Sequence, residues 1–185
     1  MELYDLDEKF KIWQNIKFYF PYGELTIQPL WRVAILTCMD CRIISSVFGF
    51  EEPGNVIIIR NAGAILTFDS LRSLLIAIYE LNVNLIVVVG HSDCGGEMTR
   101  EYMSRLLAKI SKKTRISGEQ VLNLLSSSDS SDAFLGFDNI EVQINQTVKT
   151  IQEHPLISPA NVEVVGYIYN VSKGVFSKVH HREHK

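Results

Sequence analysis

The sequence predicts an α/β protein with a mostly parallel central β-sheet, helices on its faces and an antiparallel strand at one edge. Two observations predict this fold class. Short, continuous runs of aliphatic residues recur along the chain, as expected for strands that are covered on both faces. A longer, nearly continuous apolar segment separates two of these runs, and its length suits a helix that connects parallel strands.

Length and composition narrow the class of protein further. The 185 residues suffice for one sizeable core but are few for two ordinary domains, so we expect a single domain over residues 1–185. With a formal net charge of -3, the chain has no general attraction for nucleic acid or an anionic membrane. The amino terminus is acidic, unlike a secretory signal, and no apolar run approaches the roughly 20 residues of a membrane span. These features predict a cytoplasmic protein.

The first predicted element is an amphipathic helix over residues 6–20, which ends before Pro21. We interpret residues 1–24 as an amino-terminal helical arm. The apolar residues that define one face of this helix are Phe10, Ile12, Trp13, Ile16 and Phe20.

Three buried strands follow, at residues 33–37, 56–60 and 85–90. A helix over residues 69–81 lies between the second and third of them. This order predicts a βαβ unit with parallel strands.

The second half of the chain continues the alternation of helices and strands. Residues 98–126 are predicted to be helical, and the serine-rich segment 126–136 is predicted to be a solvated loop. A further helix ends before Pro155, residues 162–171 form a strand, and residues 174–179 form an edge strand. The apolar residues of that helix are Ile140, Ile144, Val148 and Ile151.

Cysteine and histidine residues occur at the carboxyl ends of two predicted strands. Cys38 follows the first strand, whereas His91 and Cys94 follow the third. Loops at this end of a parallel sheet converge, and ligands bind there. Two thiolates and one imidazole suit zinc, and three protein ligands leave the fourth tetrahedral position open, as in catalytic sites. We therefore predict one zinc ion per chain on these residues.

Each of these residue types also has a simpler interpretation. Free cysteine is often a small buried residue, and a lone histidine is often a hydrogen-bonded core residue. The histidine-rich tail, residues 180–185, is a polar chain end, which we interpret as disordered rather than as a metal site.

Asp40 and Arg42 follow Cys38 in the segment CMDCR. A carboxylate at this position can accept a hydrogen bond from water on the metal, and Arg42 can keep it ionised through a bidentate pair. The alternative is a purely structural ion pair. If the segment is extended, Cys41 points away from Asp40 and Arg42, so we expect it to be a small buried residue rather than a redox or metal group.

Three ordered motifs make the chain resemble the β-class carbonic anhydrases, and two looser matches extend the resemblance over nearly the whole chain. The motifs are CMDCR at 38–42, RNAG at 60–63 and GHSDCGG at 90–96, followed by HPLI at 154–157 and VVGYIYNVSKG at 164–174. The resemblance implies a four-stranded parallel core sheet with an edge strand. It also implies a homodimer, or a higher even-numbered oligomer, in which the amino-terminal helix embraces the partner.

The resemblance further implies that Cys38, His91 and Cys94 are the zinc ligands and that Asp40 and Arg42 are the catalytic dyad. In some family members the matching aspartate occupies the fourth zinc position, which gives a closed and inactive state. The sequence leaves open which state Asp40 adopts.

The implied activity is the reversible hydration of carbon dioxide to bicarbonate by hydroxide on zinc, which lowers the pKa of bound water to about 7. The motif residues Ala62, Gly63 and Gly95 are expected to line the substrate pocket. Two alternatives stay open. The same zinc site could hydrolyse carbon disulfide or carbonyl sulfide, or the protein could be a non-catalytic, zinc-stabilised dimerisation module. Retention of both Asp40 and Arg42 favours an enzyme over the module.

Overall fold

The computed structural model describes most of the chain. The described residues are 22–50, 52–95, 100–126 and 137–179. The predicted helix over 6–20 and the tail 180–185 lie outside them, as do all but the first residue of the predicted loop 126–136.

Five strands of the described chain form one sheet. The strands are β1 (Val33–Cys38), β2 (Ile57–Asn61), β3 (Leu85–His91), β4 (Glu163–Asn170) and β5 (Val175–Lys178). Their order in the sheet is β2-β1-β3-β4-β5. The first four strands are mutually parallel, and β5 runs antiparallel to β4 at the edge. The predicted mostly parallel sheet with an antiparallel edge strand is therefore confirmed.

Four α-helices accompany the sheet in the described ranges, and each matches a predicted helical segment. The first of them, α1 (Phe68–Tyr79), ends two residues before the predicted end, because Asn82 adopts a left-handed conformation (φ 57°) that stops the helix. At its start, the Thr67 hydroxyl accepts from the Ser70 N–H, and the Ser70 hydroxyl accepts from the Thr67 N–H. The helices are α1 (Phe68–Tyr79), α2 (Arg100–Thr114), α3 (Gly118–Ser126) and α4 (Ile140–Glu153).

The main core lies between one face of the sheet and helices α1 and α4. Two strand glycines allow α4 to approach the sheet closely. A Cβ atom on Gly90 would lie 2.7 Å from the Ile140 Cδ1 atom, and one on Gly166 would lie 2.9 Å from the Ile144 Cγ2 atom. Both distances are shorter than a van der Waals contact. Helix α4 can therefore pack this close to the sheet only because these two positions have no side chain.

The opposite face of the sheet is more open. Its buried residues, Val33, Ile35 and Val89, contact half-buried aromatic side chains, including Phe48 and Tyr167. None of the helices in the described ranges is both long and apolar enough to cross a membrane.

Candidate metal centre

The three predicted metal ligands meet at the carboxyl ends of two adjacent strands. Cys38 is the last residue of β1 and His91 is the last residue of β3. The two strands are paired in register, with Thr37 opposite Val89, and the Thr37 hydroxyl donates to the Val89 carbonyl at 2.9 Å. Cys94 lies three residues beyond His91, where the chain turns back towards Cys38.

The side chains of Cys38, His91 and Cys94 form a buried cluster, and their potential ligand atoms all lie within 4.8 Å of one another. The two sulfurs are 3.8 Å apart, well beyond the roughly 2.05 Å of a disulfide. Two sulfurs that each lie about 2.3 Å from a tetrahedral ion are about 3.8 Å apart. The spacing of the two thiols therefore fits a zinc ion.

The imidazole of His91 provides a second test of this fit. Within the described ranges, its Nε2 atom is buried and has no hydrogen-bond partner. A buried polar atom without a partner is costly, and a metal ion would satisfy it. The other ring nitrogen, Nδ1, lies 3.0 Å from the Ser92 carbonyl oxygen. An Nδ1–H that donates to this carbonyl leaves the Nε2 lone pair free to bind metal.

The surroundings of Cys38 favour the thiolate, which is the form of cysteine that binds metal. A hydrogen bond from Cys94 lowers the pKa of the Cys38 thiol to about 4, against the opposing effect of burial, with further help from His91 and from the backbone N–H groups of Gly63 and Asp40. Burial is the largest single influence on His91 and lowers its pKa, but Cys38, the Ser92 backbone and Asp40 together outweigh burial, so the pKa of His91 is raised.

Asp40 and Arg42 form a bidentate pair beside the cluster. The Arg42 Nε donates to Asp40 Oδ1 at 3.0 Å, and Nη2 donates to Oδ2 at 2.7 Å. The backbone N–H of Arg42 also donates to Oδ1, at 2.9 Å. These contacts hold the pKa of the Asp40 carboxyl well below its usual range. Oδ2 of Asp40 lies 3.8 Å from Nε2 of His91, too far for a hydrogen bond.

Two further charged residues contact this pair, and no role was predicted for either of them from the sequence. Arg42 Nη1 donates to the Asp93 carboxylate at 2.7 Å. Arg60 lies on the other side, where its Nε donates to the Cys38 carbonyl at 3.2 Å and its Nη2 donates to the Asp40 carbonyl at 2.6 Å. Arg60 lies in the motif RNAG and Asp93 lies in the motif GHSDCGG, so their positions in these motifs were the only indication in the sequence that they lie near the site. Their contacts depend on how separate loops meet.

The structure gives the three predicted pocket residues different environments. Gly63 is buried beside Cys38 and has a φ of 84°, and a Cβ atom there would lie 3.0 Å from Cε1 of Phe137. Ala62 and Gly95 are exposed. Their role in a substrate pocket stays a prediction.

Apolar side chains border the sulfur side of the cluster. Phe137 packs in one hydrophobic cluster with Cys38 and Cys94, and the half-buried Ile65 and Ile140 contact the same cluster. The sulfurs therefore face an apolar wall.

The expected burial of Cys41 is wrong, because this residue is exposed. The expectation assumed an extended segment with alternating side chains. Instead, the chain turns directly after Asp40, and the Ile43 N–H donates to the Asp40 carbonyl at 3.0 Å. In a turn of this kind, side chains no longer alternate between two faces.

Comparison with known proteins identifies the family. A sequence profile described as "Carbonic anhydrase" matches residues 33–176. The chain is 37% identical over 149 residues to "Putative carbonic anhydrase YtiB" of Bacillus subtilis, and the aligned region covers 77% of this chain and 78% of that protein. It is also 32% identical over 154 residues to a carbon disulfide hydrolase of Acidianus sp., covering 76% of this chain and 73% of that protein.

A solved structure agrees with these sequence matches. The carbonic anhydrase of Streptococcus mutans superposes with a TM-score of 0.74 at 28% identity, covering 97% of this chain and 100% of the other. Because the family profile spans both strand ends that carry the cluster, and the folds correspond over nearly the whole chain, this chain belongs to the β-carbonic anhydrase family.

Proposed function

We propose that this protein catalyses the reversible, zinc-dependent hydration of carbon dioxide, in which carbon dioxide and water give bicarbonate and a proton. One observation carries the proposal. A buried group of two thiols and an imidazole, spaced for zinc, lies directly beside an ionised carboxylate that an arginine holds by two hydrogen bonds.

In this proposal Cys38, His91 and Cys94 hold one zinc ion per chain. When bound, zinc supplies Lewis-acid activation of water at neutral pH. A pair of thiols this close together stays available to metal in a reducing compartment, which supports the proposed cytoplasmic location.

Asp40 orients the nucleophile. As an ionised carboxylate it can only accept hydrogen bonds, so it would select an orientation in which the attacking oxygen donates a hydrogen bond to Asp40 and keeps its proton, with a lone pair directed towards the carbon. Arg42 engages both oxygens of the carboxylate and so restrains Asp40 from coordinating the metal. This arrangement supports the open state of the site.

The apolar wall formed by Phe137, Ile65 and Ile140 suits a linear, uncharged substrate. Carbon dioxide, carbonyl sulfide and carbon disulfide share this shape and an electrophilic carbon. The similarity to a carbon disulfide hydrolase of Acidianus sp. favours hydrolysis of the sulfur compounds as the second candidate function. We place carbon dioxide first, because the family profile and the matched structure from Streptococcus mutans both carry the carbonic anhydrase name.

We also propose that the protein is a homodimer. Three large apolar side chains just after the predicted amino-terminal arm, Ile27, Leu30 and Trp31, are exposed. Exposed apolar groups of this size are typical of an interface. Light scattering should give twice the chain mass, and a monomeric mass for zinc-loaded protein would contradict the dimer.

The test of function compares two reactions on one preparation with measured zinc content. Stopped-flow acidification of carbon dioxide solutions reports hydration, and release of hydrogen sulfide from carbon disulfide or carbonyl sulfide reports hydrolysis. We expect hydration to be faster at matched substrate concentration. Release of hydrogen sulfide without hydration of carbon dioxide would show that the substrate is carbon disulfide or carbonyl sulfide instead. Absence of both activities in zinc-loaded protein would favour a dimerisation module.

A further inference from the structure

We propose that Asp93 is a positioning residue for the Asp40–Arg42 pair, and that it fixes the guanidinium so that Arg42 keeps hold of Asp40. The inference rests on the proposed function and extends it to a third charged residue.

The guanidinium of Arg42 is held from two sides. Nε and Nη2 donate to the Asp40 carboxylate at 3.0 and 2.7 Å. Nη1 donates to Oδ2 of Asp93 at 2.7 Å, and Nη2 also donates to the Asp93 carbonyl oxygen at 2.7 Å. Every nitrogen of the planar group therefore has an acceptor. Asp40 accepts from the Nε–Nη2 edge and Asp93 accepts from the adjacent Nη1–Nη2 edge, so the group can neither rotate nor tilt without losing a contact.

The position of Asp93 in the chain explains why its contact with Arg42 matters for the site. Asp93 lies between His91 and Cys94, so it anchors Arg42 to the same turn that carries two of the three metal-binding side chains. Arg42 itself comes from the turn after Cys38. The contact therefore joins the two strand ends on the solvent side of the cluster.

Asp40 needs this restraint because it lies close to the cluster. Its Oδ2 atom is 3.8 Å from Nε2 of His91, and the Arg42 side chain that holds it is 40% exposed. An exposed arginine with one partner exchanges readily with solvent. Freed from Arg42, the carboxylate needs only a small movement to bind the metal and block the fourth position.

A purely structural role for Asp93 makes a different prediction. The residue has a left-handed backbone (φ 54°), which glycine and asparagine adopt more readily than most other residues. If the turn alone mattered, Asp93→Gly and Asp93→Asn would both behave like the unmodified protein. The positioning role predicts a graded loss instead. Asparagine keeps a neutral acceptor for Nη1, whereas glycine keeps none.

The experiment measures kcat and KM for carbon dioxide hydration in zinc-loaded Asp93→Asn and Asp93→Gly. We expect kcat to fall about fivefold in Asp93→Gly, as for the loss of one exposed ion pair, and by an intermediate factor in Asp93→Asn, with KM unchanged. Asp69→Asn is the matched control, because it removes an exposed carboxylate that binds Arg72 at 3.1 Å, on a helix outside the site. We expect no change in that variant.

A second readout does not depend on the reaction. Nitrogen-15 NMR of the arginine side chains should show separate Nη signals for a clamped Arg42 in the unmodified protein and averaged signals in Asp93→Gly. If the unmodified protein lacks activity but its Arg42 signals differ from those of Asp93→Gly in this way, the proposed function is wrong, whereas the positioning of Arg42 by Asp93 is supported. Unchanged Arg42 signals would overturn the inference, as would equal rates in both Asp93 variants and an active unmodified protein. Equal losses in the two variants would also overturn it, because the loss would then not depend on the acceptor that asparagine keeps and glycine lacks.

Discussion

The two halves of the candidate site differ in their exposure to solvent. The buried half consists of the three candidate metal ligands, which are 5%, 1% and 6% exposed: Cys38, His91 and Cys94. The exposed half consists of three charged residues, whose side chains are 16%, 40% and 84% exposed: Asp40, Arg42 and Asp93. The halves are neighbours in sequence, yet solvent reaches only one of them freely.

This difference separates what each half can contribute. Polar groups in the buried half have lost water and need a partner of equal strength, which a metal ion would provide. Ion pairs in the exposed half compete with water and add little to stability. We therefore expect substitutions in the buried half to remove the metal, and substitutions in the exposed half to change the rate while the metal stays bound.

The largest expected effect is that of Cys94→Ala. Removal of one of three ligands should weaken zinc binding by more than about 100-fold, since even residues that only support a ligand contribute up to that factor. Activity should disappear with the metal. Elemental analysis of the purified variant checks this outcome. Full zinc occupancy in Cys94→Ala would show that the buried half is not the metal site.

Substitution of the Asp40–Arg42 pair should have the next largest effect. Asp40→Asn loses the ionised acceptor and Arg42→Ala frees the carboxylate, so we expect the rate of hydration to fall about 100-fold in each. Zinc content should stay at one ion per chain. Stopped-flow rates and elemental analysis on the same samples test this separation of roles. Loss of zinc from Asp40→Asn would contradict this separation, because it would show that Asp40 contributes to metal binding like the residues of the buried half.

Gly90→Ala perturbs the support of the buried half without touching a ligand. A Cβ atom at this position would lie 2.7 Å from Cδ1 of Ile140 and 2.8 Å from Cγ1 of Ile144, so these two side chains, or helix α4 with them, must shift away from β3. Overpacking of this kind costs about 1–3 kcal/mol of the free energy of unfolding. Chemical denaturation measures that cost.

Gly118→Ala is the control for this substitution, because the nearest atom to its new Cβ, the Ser111 Oγ, is 4.0 Å away. We expect its free energy of unfolding to change by less than about 0.5 kcal/mol. Equal stability of the two variants would mean that close packing at Gly90 does not support the site.

The smallest effect is expected for Cys41→Ser. Cys41 is exposed and lies between Asp40 and Arg42 in the chain, but it is not one of the described side chains that form the metal-binding group. Zinc content should be unchanged, and the rate should change by less than about twofold, as for most exposed positions. A large loss of zinc in this variant would contradict the division of the segment CMDCR into one ligand and one charged pair.

The sequence by itself determined the strands and the types of side chain at their ends. Continuous aliphatic runs mark the strands of a sheet that is covered on both faces. The bounds of β1, β2 and β3 were each predicted to within one residue at either end. Cys38 and His91 follow two of these runs, and their residue types predict a metal such as zinc as the ligand. Both inferences depend on local pattern or on residue type, which a single sequence contains in full.

Only the tertiary structure decided how these ends meet. The strand order, with β1 between β2 and β3, brings Cys38 beside His91 and sets the sulfurs 3.8 Å apart. Asp93 reaches Arg42 only because two turns, 51 residues apart in sequence, converge at one edge of the sheet. The exposure of Cys41 likewise follows from the turn at Asp40, which ends the alternation that governs a strand. Contacts between distant segments depend on the packing of the whole sheet, and so no local pattern in the chain specifies them.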